Sequence, residues 1–229
     1  MAEIYLIRHG QASFGTDNYD QLSVLGHQQA TILGEYFQET EMTFDYAVRG
    51  SMERHRQTLE NIENSIGTVN KNHIHPGWNE YDHEALFQAY INEYPEDPDV
   101  NSSTFSDYTD DRRKYYRILF RALHKWTEGR ISNCSESWDD FKTRVNDAMS
   151  ELAASQCRRA LVSASGGSLS IAVMLATKMP TYQAIDLMRQ MKNTAISKLF
   201  YQEGQWYLHS FNTIPHLDNK PHKSLITYG

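Results

Sequence analysis

Three short stretches gather side chains that no helix or strand needs for its stability: Arg8-His9-Gly10 in LIRHGQAS, Arg54 in ERHRQT, and Ser165-Gly166-Gly167 in VSASGG. An arginine carries a planar fork of donors that matches the oxygens of a phosphoryl group and stays charged at any working pH. A neutral imidazole beside such cations is a competent nucleophile, because neighbouring positive charge disfavours imidazolium and leaves a nitrogen lone pair. Arg8 and Arg54 are therefore candidate phosphate ligands, and His9 a candidate nucleophile toward phosphorus. Gly10 is expected to let the backbone approach a phosphate and donate its N–H. Ser165, Gly166 and Gly167, at a helix start, offer further donors with a favourable dipole. A departing alkoxide also needs a proton, which a carboxylic acid gives for about 10²–10⁴-fold in rate. Glu80 in WNEYDHE, with Asp82 behind it, is the candidate.

Each residue also has a plainer reading. His9 alone could hold a loop, ERHR could be a solvated helix face, WNEYDHE a polar loop, and Ser165 a small residue that permits close strand–helix packing.

The elements that must position these groups are legible in outline. Glu3 to Arg8 is short, apolar and β-rich and stops at a glycine, so the motif sits at the C-terminal end of a buried strand. Ser23 is a good N-cap for a helix that places Ala30, Leu33 and Phe37 on one face. Phe44 to Val48 reads as a strand, Met52 to Ile66 as the helix after it, and Ala160 to Ser165 as a third strand before an apolar helix over Ser168 to Thr177. Between them, the Pro- and carboxylate-rich stretch Glu93 to Asp111 reads as a loop or flexible cap. Helices over Arg112 to Trp126 and from Ser137 onward follow it, forming an inserted subdomain. Ile196 to Gln202 and Trp206 to Phe211 read as paired strands around Glu203-Gly204. In open α/β sheets ligands sit beyond the carboxyl ends of the strands, so three strand ends could share one crevice.

Composition bounds the function. The 229 residues carry a formal charge of −7 spread along the chain, which argues against non-specific binding to nucleic acid or anionic membrane. An anionic ligand must then be held by a local cationic cluster. Cys134 and Cys157 suit neither a zinc site nor a disulfide framework, and no stretch approaches a membrane span. A cytoplasmic location is expected. No cofactor is implied, since the glycines at 166–167 lack the spacing of a dinucleotide fingerprint, and oligomeric state is left open.

RHG in LIRHGQAS, LSVLGHQQA at 22–30 and RHRQT at 54–58 together resemble the histidine phosphatase superfamily, also called phosphoglycerate mutase-like, along essentially the whole chain. The resemblance implies a three-layer α/β/α sandwich on a mostly parallel mixed sheet, as one domain with a helical, acidic cap insertion at about 84–156. It implies a phosphohistidine on His9, no metal, a pocket with Arg8 and Arg54, and an acid–base carboxylate that maps onto Glu80. The ligand it implies is a small phosphorylated substrate or inorganic phosphate. One departure stands out: Ser165 takes the place where the family usually has a second histidine before a glycine. A serine keeps one hydrogen bond but loses a possible positive charge, and losing one such donor commonly costs about 10²–10³ in turnover. His83 and His216 are candidates to supply the missing imidazole.

Two other readings have their own signals. His73 and His75 lie on one strand face with Asp82-His83 following, as in a metal-dependent hydrolase, although six residues intervene where such sites place the Asp-His almost at once. With Ser165 in the histidine position, the domain could also be a phospho-ligand binder without turnover.

Overall fold

The computed structural model describes residues 1–13 and 20–228. The chain forms two compact units, one of Met1–Asn79 with Arg144–Gly229, the other of Glu80–Thr143. The strands are β1 (Ala2–Arg8), β2 (Tyr46–Arg49), β3 (Asn72–Ile74), β4 (Arg159–Ala164), β5 (Ile196–Gln202) and β6 (Gln205–Thr213). The helices are α1 (Val24–Glu39), α2 (Glu53–Ile66), α3 (His83–Glu93), α4 (Arg112–Thr127), α5 (Trp138–Ala154), α6 (Gly166–Thr177) and α7 (Thr181–Gln190). None of them is long and apolar enough to cross a membrane.

The first unit is built on a six-stranded sheet in the order β3-β2-β4-β1-β5-β6. Its first four strands run parallel, whereas β5 is antiparallel to β1 and β6 to β5. A central parallel strand must be apolar on both faces, and β4 meets that demand, with Ala160, Leu161, Val162 and Ala164 all fully buried. On one face Ile7, Ala47, Leu161 and Ile196 pack with Leu33 and Phe37 of α1 and Leu59 and Ile62 of α2. Leu6 and Val162, one residue out of phase, project from the other face and are equally buried. The arrangement is the expected mixed α/β sandwich.

Local chemistry accounts for the boundaries. The Ser23 hydroxyl accepts from the Gly26 N–H at 3.0 Å and starts α1 as the sequence predicts. Glu203 and Gly204 both take positive φ, at 53° and 78°, the backbone that a two-residue hairpin turn requires between β5 and β6. The helix read as beginning at Ser168 begins two residues earlier, at Gly166, with Ser165 in the N-cap position.

In the second unit Phe87 of α3 stacks on Tyr115 of α4 at 5.2 Å, and the rings of Trp126, Trp138 and Phe141 form a second cluster. The acidic stretch 93–111 is the largely exposed loop expected of it, but two buried residues anchor it. Asp97 is buried, accepts from the Tyr90 hydroxyl at 2.6 Å and pairs with Arg121, while Asp99 pairs with Arg117 at 2.9 Å and with Arg121. Tyr108, in a short 3-10 turn, is buried and donates to the Ser102 carbonyl. Two of its carboxylates, Asp97 and Asp99, are neutralised by arginines of α4, a pairing that composition does not reveal. The compact insertion also ends at Thr143 rather than near 156, since the remainder of α5 belongs to the first unit.

Candidate active site

The site grows from the end of β1. Parallel pairing sets Arg8 beside Ala164, and the His9 N–H donates to the Ala164 carbonyl at 2.9 Å, so His9 is the first residue beyond the strand pair. Its carbonyl accepts from Asn193 Nδ2 at 3.1 Å, and the Arg8 carbonyl accepts from the Thr194 N–H at 3.1 Å. Thr194 takes φ of 55°, a left-handed backbone that a β-branched residue adopts only when its surroundings compel it. Here Thr194 Oγ1 donates to the Asn193 carbonyl at 2.8 Å and lies 2.9 Å from His216 Nε2.

His9 is buried, and its Nδ1 lies 2.7 Å from the Gly10 carbonyl. A carbonyl only accepts, so Nδ1 carries the proton and Nε2 the lone pair. Burial, then the charges of Arg54 and Arg8, hold the His9 pKa well below the usual histidine value. The ring is therefore neutral at neutral pH, with an unprotonated Nε2.

Gly10 has a different task from the one expected of it. Its N–H donates to Thr58 Oγ1 at 3.1 Å, and a Cβ there would stand 2.4 Å from the Gly26 carbonyl oxygen. The missing side chain lets the loop meet the start of α1 backbone to backbone, rather than opening room for a phosphate.

The first two turns of α2 bring Arg54, His55 and Thr58 to the same place, all buried. Arg54 donates from one guanidinium nitrogen to Asp20 at 2.8 Å, and the other oxygen of that carboxylate accepts from the Glu53 N–H at 2.9 Å. Arg8 donates to the Met191 carbonyl and lies against Gly166, where a Cβ would stand 3.5 Å from its Nε. At the end of β4, Ser163 and Ser165 point to one face by the two-residue period of a strand. Ser163 Oγ donates to the His55 carbonyl at 2.9 Å, and Ser165 Oγ lies 2.7 Å from His55 Nε2. The rings of His55 and His9 have centroids 5.7 Å apart. Burial, then Arg54 and Arg49, also depress the His55 pKa far below its ordinary value.

Of the residues singled out from sequence, Arg8, His9, Gly10, Arg54, Ser165 and Gly166 thus belong to one constellation at three adjacent strand ends. His55, Thr58, Asp20 and Asn193 join them without having been singled out. Glu80 lies in the second unit, partly buried, with its carboxylate accepting from the Tyr81 N–H at 3.3 Å. Asp82, expected behind it, caps α3 by accepting from the Ala85 N–H at 2.9 Å. His83 sets its ring edge-on to Phe105 in the same unit. His216, the other candidate imidazole, is buried at Thr194 and supports the loop beneath His9. His73 stacks on Tyr46 at 4.9 Å, whereas His75 accepts from the Gly77 N–H and faces Glu151, so the two imidazoles have separate partners.

Two guanidinium groups beside a neutral imidazole and a hydroxyl at a helix start can bind a tetrahedral oxyanion and attack it. Comparison with known proteins agrees. Residues 4–118 and 99–214, two overlapping segments, match the model of the histidine phosphatase superfamily, branch 1. The chain is 24% identical over 213 residues to a Salmonella choleraesuis protein named probable phosphoglycerate mutase GpmB, covering 90% of this chain and 88% of that one. Among solved structures, Bacillus stearothermophilus YhfR superposes with a TM-score of 0.67 at 15% identity, over 94% of this chain and 99% of the other. A phosphoserine phosphatase mutant from Entamoeba histolytica, in complex with phosphoserine, gives 0.62 at 17% identity over 95% and 100%.

Proposed function

Since the chain belongs to the histidine phosphatase superfamily, we propose that it is a cytoplasmic, metal-independent hydrolase of small phosphomonoesters that works through a phosphohistidine on His9. The observation that carries this reading is the His9 tautomer: Nδ1–H is committed to the Gly10 carbonyl, and Nε2 is left as a lone pair in a buried, cationic setting. The Nε2 lone pair attacks phosphorus, the P–O ester bond breaks, and its electrons leave on the substrate oxygen. Glu80, as the acid, gives that oxygen a proton. Water then attacks the phosphohistidine and gives a proton to the Glu80 carboxylate, and the P–N electrons return to Nε2. Arg8 and Arg54 hold the phosphoryl oxygens, with Ser165 and the first amides of α6 as further donors. A phosphoserine phosphatase among the structural neighbours makes small phosphomonoesters the natural substrate class to try.

Hydrolysis of a generic aryl phosphate in the presence of a chelator tests the reading. Wild type should turn over, His9→Ala should not, and Glu80→Gln should lose about 10²–10⁴ in kcat. Turnover unchanged in His9→Ala would overturn the mechanism. Turnover abolished by chelator would restore the metal-dependent alternative through His73 and His75. Phosphate or vanadate binding with no turnover by the wild type would identify a binding module.

A further inference from the structure

We infer that His55 is the second imidazole of this reaction centre, a positioning residue that holds the Ser165 hydroxyl with its proton aimed at the phosphoryl group. The inference rests on the phosphohistidine reading above. Its basis is the 2.7 Å contact between His55 Nε2 and Ser165 Oγ, made where both residues are wholly buried.

The direction of that hydrogen bond follows from the other nitrogen. His55 Nδ1 is buried and has no hydrogen-bond partner among the described residues. An orphaned buried N–H is rarer and costlier than an orphaned lone pair, so Nδ1 carries the lone pair and Nε2–H donates to Ser165 Oγ. A serine has one hydrogen to give. With its oxygen already accepting from His55, that hydrogen is free for a phosphoryl oxygen, which can only accept. His9 and His55 are thus neutral imidazoles in opposite tautomers, 5.7 Å apart, one presenting a lone pair and the other a donor.

The surroundings are built for this ring. Gly50 has no side chain where a Cβ would stand 2.2 Å from His55 Nδ1. Ser163 fixes the His55 backbone carbonyl from the same face of β4 that presents Ser165. Two serines in S-x-S spacing therefore hold one histidine at both its backbone and its ring. Ser165, although at the N-cap position of α6, makes no capping bond with its side chain.

The test uses wild type, His55→Ala, Ser165→Ala, the double alanine variant, and the exchange His55→Ala/Ser165→His. In the exchange an imidazole grows from position 165 into the space the first one leaves. Kinetics with an aryl phosphate are measured per folded molecule, with folding checked by denaturant titration, and orthovanadate affinity is measured alongside. Each single alanine variant should lose about 10²–10³ in kcat with little change in KM. The double variant should lose no more than the worse single, because the two act as a unit. The exchange should recover at least about tenfold over His55→Ala, which a purely structural role would not give. Ser165→Ala within about threefold of wild type, losses that multiply in the double variant, or an exchange that folds and recovers nothing would overturn the inference. Should the exchange not fold, the double alanine variant decides alone. If wild type shows no turnover, the phosphohistidine reading falls, and vanadate decides for the pair: a shared, non-multiplying loss of affinity upholds it, and unchanged or independent affinities overturn it.

Discussion

A buried imidazole that stays neutral has a kinetic signature. Protonating His9 would remove the lone pair that the proposed mechanism uses against phosphorus, and its pKa in the folded protein lies well below the usual value because burial and two arginines oppose the charge. The acid limb of kcat/KM for the free enzyme should therefore fall well below pH 6.5, with activity sustained through the mildly acidic range. A limb centred at or above pH 6.5 would contradict the environment described for this ring. Gly50 gives a second expectation at the same scale. An alanine there would bring a methyl to 2.2 Å from His55 Nδ1 and 2.5 Å from Asn79 Oδ1, and both groups are held by other bonds. Gly50→Ala should cost about 1–3 kcal/mol in a urea titration and lower kcat as the ring is displaced. Arg8, His9 and Arg54 were legible because their chemistry has few other uses in such spacing. His55 was not, since a histidine beside Arg54 on a helix looks like any solvated side chain until β4 delivers Ser163 and Ser165 to it. The signal was present as S-x-S in VSASGG, and it becomes readable only when paired with ERHRQT.

At the level of elements, the reaction centre is assembled from termini: the ends of β1 and β4 and the first turns of α2 and α6. The start of α2 has no side-chain cap of its own, and Asp20 supplies one from elsewhere in sequence while it also holds Arg54. Removing a carboxylate from a helix start typically costs about 1 kcal/mol. Asp20→Ala should lower the urea midpoint accordingly and weaken orthovanadate binding by loosening Arg54. Unchanged affinity would show that Arg54 is positioned without it. Strands and capped helices were legible from alternation, periodicity and Ser23. In the stretch 93–111 the loop was legible but its anchoring was not, because Asp97 and Asp99 find partners on α4, a helix whose own sequence says nothing about which acids it will meet. α3 was missed because it is short and weakly patterned, and α7 because it is only ten residues long.

For the molecule as a whole, burial of neutral histidines ties stability to pH. His9 and His55 are held well below their ordinary pKa, and burial takes His216 down to about 3. Above about pH 6.5 neither the folded nor the unfolded chain protonates these rings, and they contribute nothing to pH dependence. Below it the unfolded chain binds protons that the folded chain refuses, so stability falls as pH falls, approaching about 1.4 kcal/mol per pH unit for each ring. Asp45, Asp97 and Asp99, whose pKa values are depressed, add to the loss only below about pH 4. The urea midpoint should change little between pH 7.5 and 6.5 and fall clearly by pH 5.5, and His216→Gln should lessen that fall. The same wholeness bears on how the chain is made. β1 has β4 on one side and β5 on the other, so Glu3 pairs with Arg159 and with Phe200. On a ribosome adding roughly 5–20 residues per second, the strand that leads into His9 waits on the order of ten seconds for its first neighbour. Until then EIYLIR is an apolar segment with both edges bare, and the newborn protein is at its most vulnerable to aggregation before it has any chemistry to lose.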